Sequence, residues 1–159
     1  MAAGDASVAL NSLSDFKPNE ISSIVWAYAT ACKTHPRLMK FADHIVAMND
    51  LRVFWSQHIC NIVWVHATAG SSHSRLFKKL AYHIVTQVNL SGFNPQNVSN
   101  IVWVYATAGE SHTQLFKQLA DYIVAQDDLS EFNPQEISNI IWAYATVGES
   151  HPLLFCWMM

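Results

Sequence analysis

A tryptophan returns at a fixed interval along this chain, at Trp26, Trp64, Trp103 and Trp142, with gaps of 38, 39 and 39 residues. Its surroundings return with it: Phe16, Phe54, Phe93 and Phe132 lie ten residues upstream, and His35, His73, His112 and His151 nine residues downstream. A period of this length marks a stacked array, in which each unit buries its apolar face only against its neighbours. Such a chain binds along an extended surface and seldom carries out chemistry in one pocket.

Each copy reads as two helices. In the fourth, Asn133 suits the N-cap, Pro134 the first helical position, and Glu136 completes a capping box. Phe132 and Ile137 have the spacing of a hydrophobic staple. The third copy repeats most of this with Phe93, Asn94, Pro95 and Val98, and the first with Phe16, Pro18, Glu20 and Ile21 behind Lys17. The second, Phe54–Trp55–Ser56–Gln57–His58, has lost both Asn and Pro, which predicts a less sharply defined start. Ile137, Ile140, Ile141, Tyr144 and Ala145 then follow helical spacing and form one apolar face, with Trp142, Ala143 and Val147 outside it. A helix apolar most of the way round is expected between neighbours. Gly70, Gly109 and Gly148 fall where it should stop.

The second helix is amphipathic in the ordinary way. In the third copy Leu115, Phe116, Leu119, Ala120, Ile123 and Val124 face inward, and Gln114, Lys117, Gln118 and Asp121 outward. The first copy is one residue shorter between Leu38 and Ala42, a change a helix absorbs with little shift of face. The fourth ends in Cys156–Trp157–Met158–Met159, short of two to three further turns, and reads as a truncated or mis-spliced product. The expected fold is therefore all-α, a right-handed α-solenoid of helical hairpins with about three and a half to four repeats. Its boundaries are a tail or partial helix over 1–12, then 13–50, 51–89, 90–128 and a truncated 129–159.

Composition narrows the function. The chain is 51% hydrophobic and 13% charged, far from a disordered composition. No apolar run is long enough to span a membrane, and the N-terminus has neither an early Lys nor an early Arg, so no targeting peptide is visible. Three Cys without a CxxC pair give neither a disulfide framework nor a zinc site; Cys32 and Cys60 read as small fillers in a reducing compartment. The net charge is −3 and uneven: residues 1–117 hold nine Lys and Arg against six acids, and residues 118–159 hold six acids and no Lys or Arg. A strongly basic chain would point to nucleic acid, and this balance does not.

Four polar and aromatic positions recur along one side of the first helix: Gln135–Asn139–Trp142–Thr146, Gln96–Asn100–Trp103–Thr107, Gln57–Asn61–Trp64–Thr68 and Asn19–Ser23–Trp26–Thr30. One such stripe per repeat could present hydrogen-bonding groups and an aromatic to successive bases of a single strand. The simpler reading is that Trp packs between helices while the polar members bond to neighbouring backbone, which leaves the polar members as the better candidates for contact. Asp50, Asn89 and Asp128 close each copy, as turn residues or as a second reading position. Lys33, Arg37, Lys40, Arg75, Lys78, Lys79 and Lys117 offer a phosphate-contacting edge or simply a solvated face.

The His column recurs at a helix start in units about 10 Å apart, too far for two His to share a metal, and reads as caps or packing. Glu110–Ser111–His112 and Glu149–Ser150–His151 hold the residue types of a hydrolase triad, but adjacent residues cannot adopt its geometry. No phosphate loop, metal motif or paired carboxylates are found. The reading is a non-enzyme without cofactor or metal.

The unit FNPQ-x-(I/V)SNI(I/V)W(A/V)YAT-x-GESH-x-x-LF, carried by Pro95–Gln96, Asn100, Trp103, Ala106 and Gly109 and by Pro134–Gln135, Asn139, Trp142, Ala145 and Gly148, resembles octotricopeptide-type repeats. It is similar as well to the helical repeats of FAST-kinase-like and RAP-domain proteins and of organellar RNA-editing-complex subunits. The resemblance spans residues 13–155. It implies non-catalytic binding of a single-stranded organellar transcript in the mitochondrial matrix or a plastid, acting on RNA stability, processing or translation, with other ribonucleoprotein subunits as further partners and neither a membrane nor a small-molecule substrate. Candidate RNA contacts are Asn61, Asn100, Asn139, Ser23, Thr30, Thr68, Thr107, Thr146, Gln57, Gln96, Gln135, Lys78 and Lys79. The alternative is a protein-interaction scaffold of tetratricopeptide-like type.

Overall fold

The computed structural model describes residues 13–31, 35–70, 73–87 and 90–157. The readings of Cys32, Lys33, Asn89, Met158, Met159 and the tail over 1–12 lie outside the described residues. A 3-10 turn at Leu13–Asp15 leads into α1 (Pro18–Ala31), α2 (Pro36–Ala47), α3 (Ser56–Thr68), α4 (Ser74–Val85), α5 (Pro95–Thr107), α6 (Thr113–Val124), α7 (Pro134–Val147) and α8 (Pro152–Trp157); no strand occurs among the described residues. α1, α3, α5 and α7 pack in series, and α2, α4, α6 and α8 pack in series beside them. The first helices of the repeats thus form one layer and the second helices the other, an α-solenoid.

The helix starts are set locally. Asn94 Oδ1 accepts the Asn97 N–H at 2.8 Å, and the Asn97 side chain accepts the Asn94 N–H at 3.3 Å. Asn133 and Glu136 exchange the same pair of bonds, both at 2.9 Å. Glu20 takes the Lys17 N–H at 2.8 Å, so α1 keeps half of the box. The looser start expected of α3 is not found. It begins at Ser56, in the same register before its Trp as the other first helices. No side chain caps its first turn, but His58 Nδ1 takes the Trp55 N–H at 3.2 Å, the reciprocal half of the box, and Ser56 Oγ donates to the Gly92 carbonyl of the next repeat at 2.5 Å.

The helix ends depend on glycine. At Gly109, φ is 69°, and the Glu110 N–H reaches back to the Tyr105 carbonyl at 2.9 Å, satisfying a carbonyl that the helix leaves unpaired. Because nothing crowds a Cβ there, the cost of Gly109→Ala is that of the left-handed backbone, about 1–2 kcal/mol. Urea titration should show that loss with an unchanged dependence on denaturant; a neutral result would mean the turn relaxes freely.

The interior repeats show why the first helices are apolar most of the way round. In α5, Val98, Ser99, Ile101, Val102, Val104, Tyr105 and Ala106 are all buried. Ser99 Oγ donates to the Glu136 carbonyl of α7 at 3.4 Å, Cys60 Sγ of α3 to the Asn97 carbonyl at 3.7 Å, and Tyr105 Oη to the Phe77 carbonyl of α4 at 2.8 Å, so α5 meets a neighbour on three sides. Two assignments on α7 are corrected by this. Ala143, placed outside the apolar face, is fully buried, and Ala145, placed on it, is exposed. A solenoid helix has two buried flanks, and Ala145 lies on the one that faces away from α5.

The second helices match their amphipathic pattern. Leu115, Phe116, Leu119, Ala120 and Ile123 are buried, while Val124 is only half-buried. The deletion in the first copy leaves Leu38, Phe41, Ala42 and Ile45 buried, but Met39, at the register of the buried Phe77 and Phe116, is exposed.

Candidate functional site

The stripe of the first helices lies on the open side of their layer. Thr30, Thr68, Thr107 and Thr146 are exposed, and Asn61, Asn100 and Asn139 are half-buried. The tryptophans sit at the edge of the core: Trp26 and Trp142 are 41% and 46% exposed, and Trp64 and Trp103 are half-buried and packed against it. Trp26 and Trp64 stack with ring centroids 4.7 Å apart. Packing of Trp between helices holds in part: Trp26 of α1 meets Trp64 of α3, and Trp64 and Trp103 lie against the core, while Trp26 and Trp142 keep much of their surface open.

The hydrogen bonds divide the stripe in two. In the first half its polar members are committed within the protein. Ser23 Oγ donates to the Asn19 carbonyl at 2.8 Å, Thr30 to the Trp26 carbonyl at 2.6 Å, and Thr68 to the Trp64 carbonyl at 2.8 Å. Gln57 donates to Asn61 at 2.9 Å, Asn61 to Ser22 at 3.4 Å, and Asn97 back to Gln57 at 3.3 Å. In the second half Gln96, Asn100, Thr107, Gln135, Asn139 and Thr146 have no hydrogen-bond partner among the described residues. They are the open contact groups of the stripe.

The other recurring residues hold repeats together. His73 Nδ1 caps α4 by accepting the Leu76 N–H at 3.1 Å, and its Nε2 meets Asp43 of the preceding repeat at 3.0 Å. His151 meets Asp121 in the same way at 2.9 Å, and His35 caps α2 through the Arg37 N–H at 3.1 Å. Glu149 accepts from Thr113 Oγ1 at 2.7 Å and Glu110 from Ser74 Oγ, so these glutamates tie each repeat to the one before it. Asp50 and Asp128 fold turns by accepting the Arg52 and Ser130 N–H at 2.9 and 2.7 Å; Arg52 holds the Asp50 carboxyl down at about 2. Cys60 is buried, its thiol pushed up to about 12 by that burial, as a filler facing Asn97. No group of three potential metal ligands occurs among the described residues.

A family model for the RNA-editing substrate-binding complex 6 protein matches residues 7–155. The chain belongs to that family. No curated protein matches it. Membership of the RNA-editing substrate-binding complex 6 family ties the chain to RNA processing and supports the editing-complex part of the resemblance. No helix among the described residues is long and apolar enough to cross a membrane.

In this member of the RNA-editing substrate-binding complex 6 family, the cationic residues and the stripe stand on different layers. Arg37 and Lys40 lie on α2, Arg75, Lys78 and Lys79 on α4, and Lys117 on α6, whereas α1, α3, α5 and α7 carry no Lys or Arg. Several are also engaged. Lys79 Nζ donates to the Val46 carbonyl at 2.6 Å and to the Met48 carbonyl, capping the end of α2; Arg37 donates to Tyr28 Oη at 2.8 Å, and Lys117 pairs with Asp121 at 2.8 Å. Lys40, Arg75 and Lys78 stay exposed. Trp55 had no assigned role, yet it is 74% exposed, stacked on His58 with centroids 5.8 Å apart, beside Gln57 at the end of the stripe. Its only signal in the sequence is a large aromatic at a position where other copies have Asn or Lys.

Proposed function

We propose that the protein is a non-catalytic subunit of an RNA-editing substrate-binding assembly in the mitochondrion, and that its first-helix face takes single-stranded RNA. The observation that carries this reading is the half-open row of Trp side chains flanked, in repeats three and four, by Asn, Gln and Thr without protein partners. Bases stack on such rings and bond to such groups in single-strand recognition. Because the face carries no Lys or Arg, few phosphates are neutralised. The salt dependence should then be shallow, with a slope of about −0.7 per phosphate contacted.

Fluorescence anisotropy against a pool of labelled single-stranded RNAs, at low and near-physiological salt, tests this. Selective binding is expected. Asn100→Ala with Asn139→Ala should weaken it by roughly 5–30-fold, the equivalent of about 1–2 kcal/mol, with unchanged helical circular dichroism. A second reading, a protein-interaction scaffold, is favoured by the same neutral face. It takes over if no RNA in the pool binds even at low salt.

A further inference from the structure

Two junctions inside the array are built on one plan, and one of them has opened into a cleft. Between repeats three and four, Pro95, Tyr122, Gln126, Glu131 and Phe132 line a space of about 250 Å³. At the same register between repeats two and three stand Ser56, His83, Gln87, Gly92 and Phe93, and the space is about 680 Å³. Small-ligand sites usually measure about 300–1,000 Å³, so only the second is large enough. Two exchanges account for the difference. Tyr122 Oη donates to the Phe93 carbonyl at 3.0 Å, so its ring bridges α6 and the linker before α5, whereas the shorter His83 turns to Gln87 at 3.2 Å. Gly92 has no side chain where the other junction carries Glu131.

The larger cleft has its own chemistry. Asp127, Asp128 and Glu131 line the smaller one, an array of charge that repels an anion. The larger one is lined by Arg52 and Trp55, at the register of Ser91 and Asn94, and by no acid among its described residues. Arg52 uses Nε and Nη2 on Asp50 at 3.0 and 2.8 Å, which holds the guanidinium in place and leaves Nη1 to donate outward. The Trp55 ring lies on His58 with an angle of 16° between the planes. One face is covered and the other is a stacking platform. Phe54 and Phe93 are buried and give the cleft an apolar floor. A peptide carboxylate would satisfy Arg52 and leave the indole without a partner. A nucleotide satisfies both, with its base on the ring and its phosphate on the guanidinium.

We propose that the junction of repeats two and three binds one nucleotide, its base stacked on the open face of Trp55 and its phosphate at Arg52 Nη1. The nucleotide belongs to the single strand taken by the first-helix face, a source that rests on the RNA-binding reading above. Trp55 stands two residues before Gln57, the first member of the stripe on α3, so the cleft opens where that stripe begins. Because the next junction is small and acidic, the site occurs once across these two junctions and not at both. A nucleotide fixed there sets the register in which the following bases meet Asn100 and Asn139.

Heteronuclear NMR of the isotope-labelled full chain reads the cleft through the tryptophan indole groups, with Trp55 identified by the signal that Trp55→Ala removes. Adenosine monophosphate at millimolar concentration should move the Trp55 signal and leave those of Trp103 and Trp142 in place. Ribose phosphate, which has no base, should move none of them. His83→Tyr installs the residue of the smaller junction and should abolish the shift with unchanged circular dichroism. In anisotropy, Trp55→Ala should weaken the best-bound RNA roughly 5–150-fold, the range for one lost base–aromatic stack, and His83→Tyr should weaken it too. Trp55 is exposed, so its variant keeps the fold. No Trp55 shift with adenosine monophosphate, an equal shift with ribose phosphate, or a shift that survives His83→Tyr overturns the site. An RNA affinity equal in wild type and both variants overturns the strand as the source and leaves the first-helix reading standing. A Trp55 shift in a chain that binds no RNA removes that reading and keeps the site for a free nucleotide.

Discussion

Tyr105→Ala lowers the free energy of unfolding by about 3–5 kcal/mol, whereas Trp103→Ala, two residues away on the same helix, lowers it by only about 1–2 kcal/mol. The Tyr105 ring is fully buried, lies edge-on to Phe77 at 5.1 Å and donates to a carbonyl of the preceding repeat. Its loss opens a cavity and removes an inter-repeat bond together. Trp103 is half-buried on the open face and supplies part of its area to packing. Tyr105→Phe separates the two contributions, since it keeps the ring and gives up a hydrogen bond of about 1 kcal/mol. Chemical denaturation of the three variants checks the ordering. If Trp103→Ala proves as damaging as Tyr105→Ala, the tryptophan is core, it is not free to stack on a base, and the reading of the first-helix face fails with it.

That contrast also marks what the sequence could and could not say. The repeat, the Asn–Pro starts and the glycine stops were legible because each is settled within a few residues: Asn133 with Glu136, or Gly109 with Tyr105. The two-sided burial was half legible. An apolar face was visible on α7, but one periodic pattern cannot separate a flank that looks back from one that looks forward, and Ala143 and Ala145 were exchanged for that reason. The candidate contacts were legible as a column and not as individuals. Thr68 and Thr107 occupy the same register, yet one donates to its own helix and the other is open; Asn61 meets Ser22 across the repeat, whereas the register position of Ser22 one repeat on is Cys60, and Asn100 is without that partner. Lys78 and Lys79 are adjacent in sequence, but only Lys79 reaches the carbonyls at the end of α2. The differences at Asn61 and Lys79 depend on the repeat next door, which a single motif does not encode.

Acidification should destabilise the fold well above the carboxylate range, and His66 is the main reason. It takes the place that Tyr28, Tyr105 and Tyr144 occupy in the other repeats and is fully buried, edge-on to His73 at 6.5 Å. Burial, with the neighbouring His73 charge, lowers its pKa from 6.5 to about 4. The folded chain therefore keeps the ring neutral down to that pH, while the unfolded chain takes up a proton below 6.5. Stability is unaffected above pH 6.5 and falls as pH drops from there toward 4, by about 2 kcal/mol at pH 5. For a domain of this size that is a fall in Tm of roughly 4–8 °C. His58, His83 and His112 are lowered by burial too and act in the same direction. The ion-paired Asp50 and Asp121 have pKa values held below the usual 3.8 and contribute only at more acid pH. His66→Tyr restores the residue of the other repeats and removes one titrating group, so the difference in Tm between pH 7 and pH 5 should shrink by roughly 4–8 °C. An unchanged difference in that variant would transfer the effect to the remaining histidines. A smaller one would show that a single departure from the repeat, at a buried inter-repeat position, sets the acid limit of the whole array, as expected where each unit is held only by its neighbours.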